Sequence, residues 1–409
     1  MSVISKGLFV AATVLLTCGV PRTWAAQLDG ALDALATGEH YLNVSLVPLY
    51  QYASRADTDT GNYTFDVIGK FTLLDAPARS AVGNTDLVFW VNSSDKFGGL
   101  DSTTELSHKA GLLWDTNDIA AESSSTTILV LGLEQWLFQD RVSMGMGKFF
   151  PGQVFLSSAY TADNSNGFTS KMISGNPVVS WWESIGIGAN AAYWGKHWSI
   201  QAAFVDSKAE QDLDFSSFAD GKYAYLLEST YSPPNDDGDT AIGAVIYYID
   251  EREQRESESG VVAQFTHEWG DSAKYAVFGR YSFRDGGESQ NLDDPSIEAA
   301  LEQGGLLGVA WNRPFGRTDQ QLAASLIYGK PADYRKQQGF DTQYGTEIFW
   351  KWQPRSWLTI IPNLQLTRNF EDNLETVVGL RIGVGIERNW AESSVFRSVQ
   401  AEPPRAKGN

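Results

Sequence analysis

The sequence of 409 residues holds one cysteine and four histidines, which removes most of the side chains that nucleophilic and metal chemistry draws on. Cys18 lies within the first twenty residues, so a leader cleaved after it leaves a chain with no disulfide and no thiolate. His40, His108, His197 and His267 are scattered, and none falls in a nucleophile or metal motif. An enzyme is therefore disfavoured, and neither a cofactor nor a metal is expected. Basic residues are scarce as well, 31 Lys and Arg against 50 Asp and Glu, for a formal charge of −19. Nucleic acid is excluded as a partner on that balance. Past residue 25 there is no apolar run of about 18 residues or more, which excludes helical membrane spans.

What the N-terminus does have is a secretory signal. Lys6 supplies the positive region, Leu8 to Leu16 the apolar region and Thr23-Trp24-Ala25-Ala26 a small-residue cleavage zone, so residues 1–25 read as a signal peptide cut after Ala25. Thr17 is a poor residue before a lipid-bearing cysteine, and Cys18 is expected to leave with the signal. Loss of Lys6 and Arg22 leaves 29 basic residues against 50 acidic ones, a formal charge of about −21. Residues 26–40 read as a short N-terminal leader, with an amphipathic segment over Gln27 to Gly38.

The rest of the chain alternates. In Thr376 to Glu387 the even positions Val378, Leu380, Ile382, Val384 and Ile386 are apolar, and between them lie Gly379, Arg381, Gly383, Gly385 and Glu387. Period two with one oily and one wet face is the pattern of a membrane barrel strand. Similar segments run near 41–53, 62–73, 84–92, 125–137, 141–148, 182–193, 197–207 and 223–232, then 239–250, 259–269, 275–285, 304–315, 320–330, 343–354, 358–370 and 376–387. They number 16, which predicts an all-β transmembrane antiparallel barrel over residues 41–390. Gaps after even-numbered segments are mostly tight, and those after odd-numbered ones mostly longer, as a barrel with short inner turns and long outer loops requires. Leu74 to Gly83 is longer than that rule expects, which leaves the first hairpins least defined.

Side-chain parity puts Leu322, Ala324, Leu326 and Tyr328 on one face, and Tyr275, Val277, Tyr281 and Phe283 on another with Arg280 and Arg284 opposite. A cation facing lipid at mid-membrane costs about 2 to 4 kcal/mol, so Arg280, Arg284, Glu347 and Arg381 are expected in the lumen. Aromatics such as Tyr247-Tyr248, Trp269, Trp350, Trp352 and Trp357 gather at segment ends, where girdles form. His267, sharing parity with Phe265 and Trp269, is read as interfacial. Lys148 breaks the pattern, because it shares parity with Met144 and Met146; either a bulge resets the register there or the residue snorkels at a rim.

Two blocks carry a family likeness. The closing hairpins, with Glu347-Ile348-Phe349-Trp350, Trp357-Leu358-Thr359, Pro362-Asn363-Leu364-Gln365 and Gly379-Leu380-Arg381, resemble those of the carbohydrate-selective porins, the OprB family. Arg141 to Lys148 followed by Phe149-Phe150-Pro151-Gly152 resembles that family's strand leading into the loop after strand five. The resemblance implies a 16-stranded barrel, the count reached from alternation, and passive diffusion of small sugars. Two departures stand out: the chain continues past Trp390 as a tail, 391–409, read as disordered, and residues 26–40 do not match the family's longer leader.

The loop Phe149 to Trp181 is the segment expected to fold inward and narrow the channel. Phe155, Tyr160, Asn164, Asn166, Phe168 and Asn176 dominate it, whereas an ion filter would use charges of one sign. A neutral, hydrogen-bonding solute fits that composition, and so does an ordinary loop whose aromatics pack locally. Arg280 and Arg381 against Glu183 and Glu347 read either as charges that polarise solute hydroxyls, as the resemblance implies, or as wall residues that keep the pore hydrated. Acidic outer segments at Glu251 to Glu258 and Asp293-Asp294 read as solvated charge, with divalent bridging to lipopolysaccharide as the alternative. Asn235 to Asp239 departs from calcium-loop spacing and reads as a turn. The expected location is the outer membrane of a Gram-negative bacterium, with lipid, lipopolysaccharide and small sugars as partners and either a monomer or a trimer as the assembly. A general or cation-preferring porin, and a plugged structural or adhesion barrel, are the competing functions.

Overall fold

The structure, a computed structural model, describes residues 41–389 with the exception of 75–80, 98–99, 120–123, 157, 159, 162–166, 181–184, 208–216, 235–237, 252–254 and 288–299. The signal peptide, the leader, the tail after Asn389, and the candidate residues Asn164, Asn166 and Glu183 lie outside the described residues. So do Asn235 to Asp237 and Asp293-Asp294. Sixteen strands follow in order: β1 Tyr41–Ala53, β2 Thr58–Leu74, β3 Val82–Lys96, β4 Ser125–Leu137, β5 Val142–Phe149, β6 Gly186–Trp194, β7 Trp198–Asp206 and β8 Tyr223–Tyr231. The second half comprises β9 Gly238–Ile249, β10 Glu258–Trp269, β11 Tyr275–Gly286, β12 Leu301–Asn312, β13 Gln320–Pro331, β14 Gln343–Arg355, β15 Leu358–Arg368 and β16 Leu374–Asn389. Each pairs antiparallel with its sequence neighbours, and β1 closes on β16 through Tyr41 opposite Asn389 and Tyr50 opposite Leu380. Closure removes both sheet edges, so the backbone is hydrogen-bonded all the way round.

Period-two alternation becomes two chemically distinct surfaces. Leu322, Leu326, Ile242, Ile246, Tyr275 and Tyr281 are exposed on the outside, an apolar band that a water-soluble protein would not tolerate. Arg280, Arg284, Glu347 and Arg381 are buried on the inside, as parity requires. Aromatic rings collect at both rims. Near the short turns, Trp198 meets Tyr231, Trp269 meets Tyr275, and Trp350 stacks with Trp352; at the other end Tyr328 meets Tyr344 and Phe204 meets Tyr223. His267 belongs to the first of these, stacked on Trp269 at 5.5 Å and bonded through Nδ1 to Thr240 at 2.8 Å. Tyr247 does not belong to a girdle. It is buried and donates to Glu258, while its neighbour Tyr248 is exposed.

The β14–β15 turn is shorter than the gap between the segments 343–354 and 358–370, because β14 continues to Arg355 with a register shift between Trp352 and Arg355. Lys148 resolves in a way that neither sequence reading anticipated. It is 2 % exposed although Met144 and Met146, two and four residues before it, are 50 % and 65 % exposed. The β4–β5 pairing runs through without a slip, Leu133 opposite Met146, Gly132 opposite Gly147 and Leu131 opposite Lys148. Gly147, at φ +134°, supplies the change of direction, a backbone conformation that an L side chain would resist. One glycine, rather than a bulge or a rim position, turns the lysine inward.

The apolar band gives a direct test. Leu326 lies midway along β13 with its side chain outside, so Leu326→Arg is expected to destabilise the folded barrel by about 2 to 4 kcal/mol in lipid. Urea unfolding in phospholipid bilayers reads that difference.

Candidate functional site: two loops packed inside the barrel

The interior is occupied by two loops, and each is held by side chains that the strands aim inward. The β5–β6 loop begins at Phe150 and makes a single helical turn, Pro151–Val154, with Pro151 at a first-turn position where its missing N–H costs nothing. Phe155 and Leu156 then bury fully. The Leu156 N–H donates to Glu228 at 3.2 Å, and Gln201 donates to the Val154 carbonyl at 2.9 Å. Further along, the Tyr160 hydroxyl donates to Glu268 at 2.5 Å and accepts from Asn312 at 2.9 Å, while Thr161 donates to Gln264 at 3.0 Å. Burial and that carboxylate acceptor both push the Tyr160 pKa above its ordinary value, so the hydroxyl stays a donor.

The middle of the loop rests on Glu347. Its two carboxylate oxygens accept the Thr169 and Ser170 backbone N–H groups at 2.8 and 2.9 Å, and Asn363 donates to the same carboxylate at 3.0 Å. Arg381 donates to the Gly167 carbonyl. Arg280 donates to the carbonyls of Met172 at 2.7 Å and Ile173 at 3.2 Å, and also to that of Gly175. Asn176 donates to Ser282 at 3.0 Å, and the Ser180 hydroxyl donates to Glu258 at 2.6 Å. Charged groups bonded to backbone form stronger hydrogen bonds than neutral pairs do, and here they stand in for the ladder that an irregular segment lacks.

Aromatic packing completes the seat. Tyr160 stacks on Phe278 at 5.1 Å, Phe168 leans on the same ring at 5.8 Å, and Phe168 meets Phe349 edge-on at 4.7 Å. Gly308 makes room for the Phe278 ring, since a Cβ there would lie 2.2 Å from it. The structure therefore brings Arg280, Arg381, Glu347, Phe155, Tyr160 and Phe168 together around one loop. It uses the three charged residues to bind loop backbone and the three aromatics to fill the base of the loop.

The second insert is the β3–β4 loop, whose inward path the sequence reading missed. Its helix α1, Thr103–Ala110, is capped by the Ser102 hydroxyl accepting from Glu105 N–H at 3.1 Å, and it ends on Gly111 in the left-handed region at φ +70°. Leu112, Leu113 and Trp114 follow, all buried. Gln343 clamps this turn, accepting from Leu113 N–H at 2.9 Å and donating to the Gly111 carbonyl at 2.8 Å. Gln51 donates to the Thr116 carbonyl at 3.0 Å and accepts from Asn117 at 2.7 Å, and Gln365 also donates to Thr116 at 2.7 Å. The Trp114 ring lies over Gly329 and Gly345, where added Cβ atoms would stand 2.9 and 3.4 Å from it. A signal was present, because an apolar Leu-Leu-Trp run in a long outer loop has to be buried against something. The two inserts touch through Lys171 and Asp115, both buried, 3.8 Å apart.

A cavity remains beside the inserts, against β4 to β7, lined among others by Glu134, Trp136, Ser143, Lys148, Asn190, Trp194 and Gln201. None of the residues singled out as pore or substrate contacts from the sequence is part of it. Among the described residues no cluster of three or more His, Cys, Asp or Glu could hold a metal ion, and no helix is long and apolar enough to cross a membrane.

Comparison with known proteins agrees with the barrel. The family model described as carbohydrate-selective porin, OprB family, matches residues 216–385. No curated protein matches the chain. Among solved structures, the high-pH form of Pseudomonas putida OprB superposes with a TM-score of 0.71 at 13 % identity, covering 89 % of this chain and 97 % of that one. The low-pH form of the same protein gives a TM-score of 0.55 at 12 % identity, covering 90 % and 98 %. At such identity the structures share the 16-stranded fold, and the family resemblance itself is carried by the sequence match over the second half of the barrel.

Glu347→Ala removes the acceptor for two buried N–H groups. Docking of the 167–176 segment is expected to weaken by about 1.5 to 3 kcal/mol, since a hydrogen bond to a charged group is worth that much and the donors are left buried. Faster proteolytic cleavage within the loop, with the barrel itself still resistant, is the expected result.

Proposed function

We propose that this barrel is a carbohydrate-selective porin of the OprB kind, passing small uncharged hydrophilic solutes by passive diffusion across the outer membrane of a Gram-negative bacterium. The observation that carries the reading is the family match over residues 216–385 on a closed 16-stranded barrel whose interior is narrowed by anchored loops. Diffusion through such a passage needs contacts weak and numerous enough for a solute both to enter and to leave.

In this reading Arg280, Arg381 and Glu347 set the path by fixing the β5–β6 loop, and Phe155, Tyr160 and Phe168 form its packed base. Asn164 and Asn166 of the same loop in sequence, and Glu183 at the start of the segment that follows it, supply hydrogen-bonding partners for solute hydroxyls. Sugars are the transported class, and the lipid and lipopolysaccharide of the outer membrane surround the apolar band. Anchoring that charge in backbone contacts also argues against a strong ion filter, which would present like charges to the lumen.

Planar-bilayer recording of the purified protein tests the reading. Open channels with weak ion selectivity in a salt gradient and concentration-dependent block by sugars are expected. Strong cation selectivity without sugar block would replace the reading with a cation-preferring porin, and absence of conductance would replace it with a plugged structural barrel.

A further inference from the structure

The cavity against β4 to β7 has features that the loop anchoring leaves unused. Its back wall is stripped of side chains at two inward positions, Gly132 and Gly145, which lie in the strands on either side of the β4–β5 turn. Both are closely packed: a Cβ at Gly132 would meet the Met146 carbonyl at 2.6 Å, and one at Gly145 would meet the Asn190 side-chain oxygen at 2.2 Å, so the Asn190 amide lies over Gly145. The recess lies on the inner wall beside these glycines, lined among others by Glu134, Trp136, Ser143, Lys148, Asn190 and Trp194.

The chemistry around the recess is of the kind that holds a sugar. Trp194 offers a half-buried ring, fixed in place by its indole N–H donating to Ser143 at 3.3 Å. Asn190 presents a half-buried amide beside it. Gln201 borders the recess while its own amide N–H groups hold Val154 and Glu228. The lining carries one carboxylate, Glu134, and one ammonium, Lys148. Lys70, which lies 3.6 Å from Glu134 and 2.9 Å from Asp86, steadies the carboxylate from behind. A ring plate, an amide and charges of both signs in balance suit a neutral polyhydroxy solute, and a charged one would find no net counter-charge. The inward turn of Lys148 at Gly147 acquires a purpose here, because without it the recess would have no cation of its own.

The geometry points to a saccharide-binding subsite in this recess, beside the first turn of the β5–β6 loop, where one uncharged pyranose stacks on Trp194 and hydrogen-bonds Asn190 and Glu134. The inference rests on the carbohydrate-porin reading and adds a location and a charge preference to it.

Sugar block of single channels in planar bilayers tests it, with glucose, gluconate and glucosamine as probes on the unsubstituted protein and on Trp194→Ala, Asn190→Leu and Lys336→Ala. Glucose is expected to block more strongly than either charged probe. Trp194→Ala and Asn190→Leu are each expected to weaken glucose block about tenfold while leaving the open-channel conductance in place. Lys336→Ala, on the exposed β13–β14 loop, is expected to leave block unchanged. Heat-modifiable migration on gels shows that each variant is folded, and two independent variants guard against loss of one to misfolding. Glucose block of the same strength in all four proteins would overturn the subsite and leave the porin reading standing, as would stronger block by gluconate or glucosamine than by glucose. No block by any probe in a conducting unsubstituted protein would overturn both.

Discussion

Every backbone N–H and C=O at membrane depth has to find its partner inside the protein, because hydrocarbon offers none. That constraint produces the barrel: sixteen antiparallel strands closed by β1 on β16 leave no unpaired edge facing lipid. The same constraint governs the interior. Irregular chain is tolerated at that depth only where other groups satisfy its backbone. Glu347, Arg280, Arg381, Gln343, Gln51 and Gln365 do this work for the two inserted loops.

The wall is thus written in two registers along each strand. Outward positions are apolar and interchangeable in kind, and inward positions are specific, each matched to a particular loop atom. Gly308, Gly329 and Gly345 belong to the inward set, because they admit the rings of Phe278 and Trp114. At Gly132 and Gly145, beside the cavity, the Met146 carbonyl and the Asn190 side chain take the place that a Cβ would need. A glycine on the inner face therefore reads as a seat, either for a ring of an inserted loop or for a group of the next strand.

Most of the architecture was legible in the residues. Alternation in segments such as Thr376 to Glu387 placed all sixteen strands, and parity put Arg280, Arg284, Glu347 and Arg381 inside. Parity specifies a face and stops there, so it could not say that these charges would meet loop backbone. That pairing joins residues as distant as Thr169 and Glu347, and no local pattern encodes it. Lys148 failed for a related reason, since period two assumes uniform backbone and Gly147 at φ +134° breaks that assumption. Tyr247 was misread as a girdle residue because a Tyr-Tyr pair at a strand end has one ring on each face, and only Tyr248 is outside. The inward path of the β3–β4 loop is written in its Leu112-Leu113-Trp114 run, which has to be buried, and loop length alone does not carry that information.

The seam between β1 and β16 has a kinetic corollary. Tyr41 and Asn389 are the farthest apart of all paired residues along the chain, yet they are hydrogen-bonding neighbours in the finished sheet. Contacts of such sequence separation form late and slowly, after the entropy of the intervening chain has been overcome. Until then the growing sheet carries two adhesive margins, each able to capture another chain. Assembly is consequently a race between the chain's own last strand and its neighbours in a crowded envelope, and whatever shields those margins sets the yield of functional channels.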